Sequence, residues 1–68
     1  MPYETNLELP SAVRENLPPH AQDIFRAAFN HALDRHGDEP RAFRTAWAAV
    51  KRSYEKVNDR WLPRDRDW

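Results

Sequence analysis

Apolar residues recur at intervals of three and four in the middle of the chain. They occupy seven positions between 19 and 36: Ala21, Ile24, Phe25, Ala28, Phe29, Ala32 and Leu33. This spacing places them on one face of an α-helix, and it predicts an amphipathic helix from about Pro19 to His36. Gly37 follows directly and is expected to end the helix, since glycine readily adopts the left-handed conformation found just past helix ends.

A second apolar stripe with the same spacing follows Gly37. Its members are Phe43, Ala46, Trp47, Val50, Tyr54 and Val57. The stripe predicts another helix from about Glu39 to Asn58, with Asp38 as its N-cap and Pro40 tolerated in its first turn. The short connection at Gly37 predicts that the two long helices lie antiparallel, stripe against stripe.

Prolines indicate where helices begin in the first part of the chain. Leu9-Pro10 and Leu17-Pro18-Pro19 each resemble a helix start, because proline suits the first turn and keeps the residue before it out of the helical region. A short helix is therefore expected over residues 10–16. The predicted fold class is all-α, a small compact domain with one short N-terminal helix and two longer antiparallel amphipathic helices.

The predicted domain covers residues 1–62. Trp61 and Leu62 are close enough to the helices to fold back on the core. Residues 63–68 alternate arginine with aspartate after Pro63, and they are expected to be a charged, disordered tail that contributes nothing to folding. Phe29 and Trp47 lie in the middle of their stripes and are predicted to anchor the core.

Composition excludes several kinds of site. Among 68 residues there is no cysteine, which removes disulfides and thiolate metal sites. His31 and His36 are the closest pair of histidines, and a separation of five residues places them on different helix faces. No acid/base pair or activated nucleophile stands out, so no enzyme activity, metal or cofactor is expected. The chain has no apolar run of about 20 residues and no signal peptide, which indicates a cytoplasmic protein.

Charge is balanced overall but unevenly distributed along the chain. Residues 1–40 carry three basic and seven acidic side chains, a net of −4. Residues 41–68 carry eight basic and four acidic side chains, a net of +4. Such a dipole influences which partners approach and from which side.

Polar residues beside the apolar stripes are the candidates for partner binding. They are Gln22, Asp23, Asn30, Lys51 and Lys56. Asparagine is a poor helix former in a helix interior, so Asn30 is predicted either to face solvent or to make a tertiary hydrogen bond to a loop or a partner. A basic face on the third helix leaves nucleic-acid binding as an alternative, although the net charge of zero argues against it.

Taken in order, several short segments resemble the ChaB family of small bacterial proteins. They are the opening Met1-Pro2-Tyr3, Leu9-Pro10 with Val13, the run from Leu17 to Phe25, Ala28-Phe29-Asn30 with Ala32, Ala46-Trp47-Ala48-Ala49-Val50-Lys51, Tyr54-Glu55-Lys56, and Trp61. The resemblance implies a compact, mostly helical cytosolic protein that regulates cation transport, with a calcium or sodium/proton antiporter as its partner. The family offers no catalytic residues to carry over. The sequence thus predicts a regulator that acts by binding a protein, with a nucleic-acid-associated helical domain as the alternative.

Overall fold

The computed structural model describes residues 2–64. Its elements are a 3₁₀ turn (Asn6–Glu8), α1 (Ser11–Asn16), α2 (Pro19–His36), α3 (Glu39–Ser53), β1 (Tyr54–Val57) and β2 (Arg60–Pro63). The helices predicted over 10–16 and over 19–36 are both present with nearly the expected bounds. Proline sets these bounds, because Leu17 takes the extended conformation (φ −105°, ψ 137°) that the following Pro18 imposes on it.

The link between α2 and α3 consists of two residues. Gly37 has φ 66° and ψ 19°, the left-handed conformation predicted for it, and its amide donates to the carbonyl of Leu33 at 2.7 Å. Asp38 takes the N-cap position of α3 in an extended conformation, without a side-chain capping hydrogen bond. The chain reverses here, and the aromatic rings of α2 pack against those of α3.

The prediction of an all-α fold is wrong, because the third helix ends at Ser53 and an antiparallel hairpin follows it. In the predicted helix, residues 54–57 would have continued the apolar stripe. In the structure they form β1, which pairs with β2 in the register Tyr54↔Pro63 to Val57↔Arg60. The described chain therefore combines three α-helices with a two-stranded sheet.

Two local features explain the hairpin. Asn58 and Asp59 both have positive φ (51° and 64°), which is the geometry of the two-residue turn that matches the twist of antiparallel strands. Arg64 then meets the C-terminal end of α3, where its amide donates to Ser53 O at 2.8 Å and its Nε donates to Lys51 O at 2.7 Å. These bonds satisfy carbonyls that a longer helix would have used.

We expect Asp59→Gly to stabilise the protein by about 0.5 kcal/mol, because glycine adopts positive φ without the steric cost that a side chain carries. Asp59→Ala should destabilise it by about 1 kcal/mol for the same reason. Thermal unfolding followed by circular dichroism measures both.

Asp38→Gly is the matched control for the turn. Asp38 has a negative φ of −122°, so glycine gains nothing there and gives the unfolded chain more freedom. A stabilisation by Asp38→Gly equal to that by Asp59→Gly would show that the effect does not come from the left-handed turn.

The core lies between α2 and α3 and is closed by the N-terminal segment and the hairpin. Its buried members are Leu9, Val13, Leu17, Ala21, Phe25, Phe29, Ala32, Ala42, Ala46, Val50 and Tyr54. Phe29 is completely buried, and its ring lies 4.8 Å from the rings of both Tyr3 and Phe43. Trp47 is only partly buried, with its ring between those of Phe25 and Trp61.

The end of the described chain differs in two ways from the expected tail. Trp61 folds back as predicted and lies 5.7 Å from Trp47 between ring centres, whereas Leu62 is 43% exposed. Pro63 and Arg64, the first residues of the expected tail, take part in the hairpin and in its contacts with α3. Residues 65–68 of that tail lie outside the described residues. Within 2–64, no helix is long and apolar enough to cross a membrane.

Candidate protein-binding surface

Gln22, the first of the five candidate residues, ties α1 to α2. Its Nε2 donates to Leu17 O at 2.8 Å and to Arg14 O at 3.2 Å. These carbonyls belong to the C-terminal end of α1, where helix geometry leaves acceptors without intrahelical partners. The side-chain amide of Gln22 therefore serves as a C-terminal cap for the short helix.

Asp23 belongs to a polar cluster with Asn6 and Arg26. Its Oδ1 accepts from Asn6 Nδ2 at 2.6 Å, and it lies 3.9 Å from Arg26 Nη2. Arg26 Nε donates in turn to Asn6 Oδ1 at 2.8 Å. The cluster holds the 3₁₀ turn against α2, yet the side chain of Asp23 remains 54% exposed and keeps a carboxylate edge towards solvent.

Asn30 binds the N-terminal segment from both sides of its amide group. Its Oδ1 accepts from Tyr3 N at 2.8 Å, and its Nδ2 donates to Tyr3 O at 2.7 Å. The same contact places the Tyr3 ring on Phe29, and burial, followed by the negative charge of Glu39, raises the pKa of the Tyr3 phenol above its ordinary value of 10.0. Of the two sequence alternatives for Asn30, the structure shows the tertiary hydrogen bond.

Lys51 and Lys56 lie at and beside the hairpin. Lys51 is exposed in the last turn of α3, and its carbonyl accepts from Arg64. Lys56 is exposed in β1, opposite Trp61. The structure therefore does not bring the five candidates together, since Gln22, Asp23 and Asn30 contact N-terminal segments while the two lysines border the hairpin.

The hairpin also presents an outward face that the sequence prediction missed. Side chains alternate between the two faces of a strand, and the register places four exposed residues on one face, which we name the hairpin surface: Glu55, Val57, Arg60 and Leu62. Val57 and Leu62 are 40% and 43% exposed. The apolar spacing predicts a helix over residues 54–57, and a helix has no such strand face. The turn pair Asn58-Asp59 between apolar residues was the available signal.

An ion pair between Arg64 and Glu55 lies at one edge of the hairpin surface. Arg64 Nη1 lies 3.8 Å from Glu55 Oε1, while its Nε is bound to Lys51 O. The arginine thus joins β1 to the end of α3, and it partly neutralises the one acidic residue of the hairpin surface. What remains is an apolar pair with the cationic side chain of Arg60 beside it.

Other kinds of site have little support among residues 2–64. No group of three or more histidine, aspartate or glutamate side chains there could hold a metal ion, and no polar or charged residue is buried. An open depression of about 340 Å³ is lined by Pro2, Asn30, Leu33 and Asp34. The amide group of Asn30 is already hydrogen-bonded to Tyr3, so the carboxylate of Asp34 is the polar side-chain group left for a ligand.

Comparison with known proteins gives a consistent result. The family model described as ChaB matches residues 9–64. A protein of Escherichia coli K12 named "Putative cation transport regulator ChaB" is 45% identical, over 87% of this chain and 91% of its own length. A protein of Lymantria dispar multicapsid nuclear polyhedrosis virus, "Uncharacterized protein in LEF8-FP intergenic region", is 40% identical over 74% of this chain and 72% of its own.

The architecture agrees with the sequence comparison. The solution structure of the putative cation transport regulator ChaB, determined by NMR, superimposes with a TM-score of 0.84 at 41% identity, covering 94% of this chain and all of that one. The Escherichia coli protein and the protein of the solution structure share a name that describes a regulator of cation transport. Sequence and fold together show that this chain belongs to the ChaB family.

Proposed function

We propose that this protein regulates cation transport from the cytoplasmic side by binding another protein, a cation/proton antiporter. The relatives are named for regulation of cation transport, which supports the process. The observation that supports protein binding is the hairpin surface, where Val57 and Leu62 stay exposed on a face held in place by α3.

The composition of the hairpin surface suits a protein contact. Interfaces between proteins have an apolar centre that excludes water and a polar rim that sets orientation and partner choice. Val57 and Leu62 supply such a centre, and Arg60, opposite Val57 in the register, supplies a cation beside it. A patch this small favours a weak, reversible contact, as regulation requires.

The five residues taken from the sequence contribute differently to this proposal. Gln22 and Asn30 are engaged in hydrogen bonds that hold α1 and the N-terminal segment, and these bonds support a structural role for both. Asp23, Lys51 and Lys56 remain proposed partner contacts, because their side chains are exposed. Charges at a rim mainly change association rate and specificity.

The nucleic-acid alternative has weaker support. Binding of single strands relies on exposed aromatic rings for stacking. Among the described residues, Tyr54 is buried and Trp47 and Trp61 are partly buried against each other. A chain of zero net charge also lacks the general attraction to phosphate that such proteins use.

The proposal is tested by transport in everted membrane vesicles that contain the antiporter. We expect added protein to change the rate at which external cation dissipates the pH gradient. Leu62→Asp places a charge at the centre of the hairpin surface, and the concentration needed for half the effect should rise by about tenfold or more.

Leu7→Asp is the matched control, because Leu7 is 81% exposed in the 3₁₀ turn and lies outside the hairpin surface. It should act as the wild type does. If wild-type protein leaves transport unchanged, regulation is the wrong function. If Leu62→Asp is as potent as Leu7→Asp, the hairpin surface is the wrong site, and loss of the effect after nuclease treatment would favour the nucleic-acid alternative.

A further inference from the structure

The outer face of α3 carries basic side chains and no acidic ones. Its exposed residues, which we name the basic face, are Arg41, Arg44, Thr45, Ala48, Lys51 and Arg52. They share one stripe, since intervals of three, four and seven residues return to the same side of a helix. Glu39, at the beginning of α3, is the acidic residue of that helix and lies outside the stripe.

Short side chains lie at the centre of the basic face. Thr45 and Ala48 are short and lie between the cations, so the long arginine and lysine side chains are the outermost groups of the stripe. Arg41 and Lys51 are separated by about 15 Å along the axis, at 1.5 Å per residue. Several cations could therefore touch one plane at the same time.

Acidic residues lie on the opposite side of the molecule. Asp23 and Asp34 are exposed on α2, and their separation of eleven residues is close to three full turns. They share a stripe turned away from Phe25, whose ring faces Phe43 and Trp47 of α3. Arg26 and Arg35 also belong to α2, so this side of the molecule has mixed charge and lacks the excess of cations found on the basic face.

We propose that the basic face binds the anionic lipid surface of the membrane, with α3 parallel to the headgroups. A plane of negative charge attracts this face more strongly than the side of mixed charge on α2, so the charge distribution orients the protein even though its net charge is zero. Ala48 offers no apolar side chain large enough to enter the lipid, so the contact is peripheral and depends on salt.

A membrane fits the basic face better than a nucleic acid. Arginine and lysine can read guanine edges in the major groove, but nucleic-acid-binding domains generally carry a net positive charge, whereas this chain has a net charge of zero. A lipid surface contacts only one side of the protein, which suits a chain whose cations are gathered on one helix face.

The contact is expected to be weak. Each lysine or arginine near an anionic surface strengthens binding by about fivefold, and stable attachment to membranes generally needs a second signal. That second signal would be the transporter itself. This last step rests on the proposed function, whereas lipid binding can be measured without any transporter.

Sedimentation of the full chain with lipid vesicles tests the proposal. The vesicles contain phosphatidylglycerol and phosphatidylcholine in equal parts, at low ionic strength. We expect the protein to sediment with them, to stay in solution with pure phosphatidylcholine, and to be released by salt. Ala48→Glu places an anion at the centre of the basic face and should lower the partition coefficient by about fivefold or more.

Ala27→Glu is the matched control. Ala27 is also exposed in the middle of a long helix, so the two variants share the same substitution, net charge and helix propensity. Ala27 lies on the acidic stripe of α2, and its variant should bind within about twofold of the wild type. Circular dichroism should show that both variants are folded before their lipid binding is compared.

Three results would overturn the proposal. The first is no sedimentation of wild-type protein with anionic vesicles, and the second is equal loss of binding in the two alanine variants. The third is that duplex DNA displaces the protein from the vesicles at a phosphate concentration below that of the anionic lipid, and that Ala48→Glu no longer binds the DNA. Leu62→Asp should bind lipid as the wild type does, which separates failure of this proposal from failure of the proposed transport function.

Discussion

Phe29→Ala should leave the protein largely unfolded at room temperature. Phe29 is completely buried and its ring contacts Tyr3, Phe25 and Phe43. Removing a buried phenylalanine costs about 3 to 5 kcal/mol, and a domain of this size gains only about 3 to 5 kcal/mol from its core. The loss thus equals the whole expected stability. Circular dichroism at 25 °C and its temperature dependence give the measurement.

Trp47→Ala serves as the comparison, because it removes a larger ring from a less buried position. Part of the residue is already exposed, so its removal should cost less than the loss of a fully buried ring. We expect this variant to remain folded with a lower melting temperature. A cooperative transition for Phe29→Ala at or above that of Trp47→Ala would contradict the position of Phe29 at the centre of the core.

Asn30→Ala should destabilise the protein by about 2 kcal/mol, through the loss of two hydrogen bonds at a partly buried site. Tyr3 would keep neither of its backbone bonds to Asn30, and the N-terminal segment would leave α2. Alanine is the better helix former, so the helix itself gains from the change. Any loss of stability therefore measures the tertiary contact. In an NMR spectrum the Tyr3 amide should move towards its position in an unfolded chain.

His31→Ala is the neighbouring control, with an exposed side chain one position along the same helix. It should change the stability by no more than about 0.5 kcal/mol. If Asn30→Ala proved as stable as His31→Ala, the N-terminal segment would contribute nothing to folding, and the paired hydrogen bonds would be a local detail without energetic weight.

The helical part of the fold could be predicted from the sequence, because the residues that begin and end helices agree there with the spacing of the apolar residues. Pro18 and Gly37 bound α2, and the apolar stripe between them has no interruption. The prediction was wrong at Tyr54 and Val57, because the interval of four residues from Val50 to Tyr54 and of three from Tyr54 to Val57 suits a helix. Their conversion to a strand depends on the turn at Asn58-Asp59 and on Arg64, which contacts α3 only after the chain has reversed.

The candidate surface was harder to predict, because its composition depends on which polar residues have internal partners. Gln22 and Asn30 look like exposed polar residues of an amphipathic helix, yet their partners are backbone atoms of other segments, five and eight residues away for Gln22 and 27 residues away for Asn30. No local spacing reveals such a pairing. Charge was more informative, since the basic residues of the second half include Arg41, Arg44, Lys51 and Arg52, which share the outer face of α3.

The hydrogen bonds between Tyr3 and Asn30 join positions 27 residues apart, whereas α2 and α3 meet across a two-residue link. Closing a long loop costs more entropy than closing a short one, so the helix pair should form before the N-terminal segment attaches to it. Unfolding is expected to run in the opposite order. In native protein the first residues should detach while α2 and α3 stay folded, and their amide protons should exchange with deuterium well before those of Phe25 and Val50.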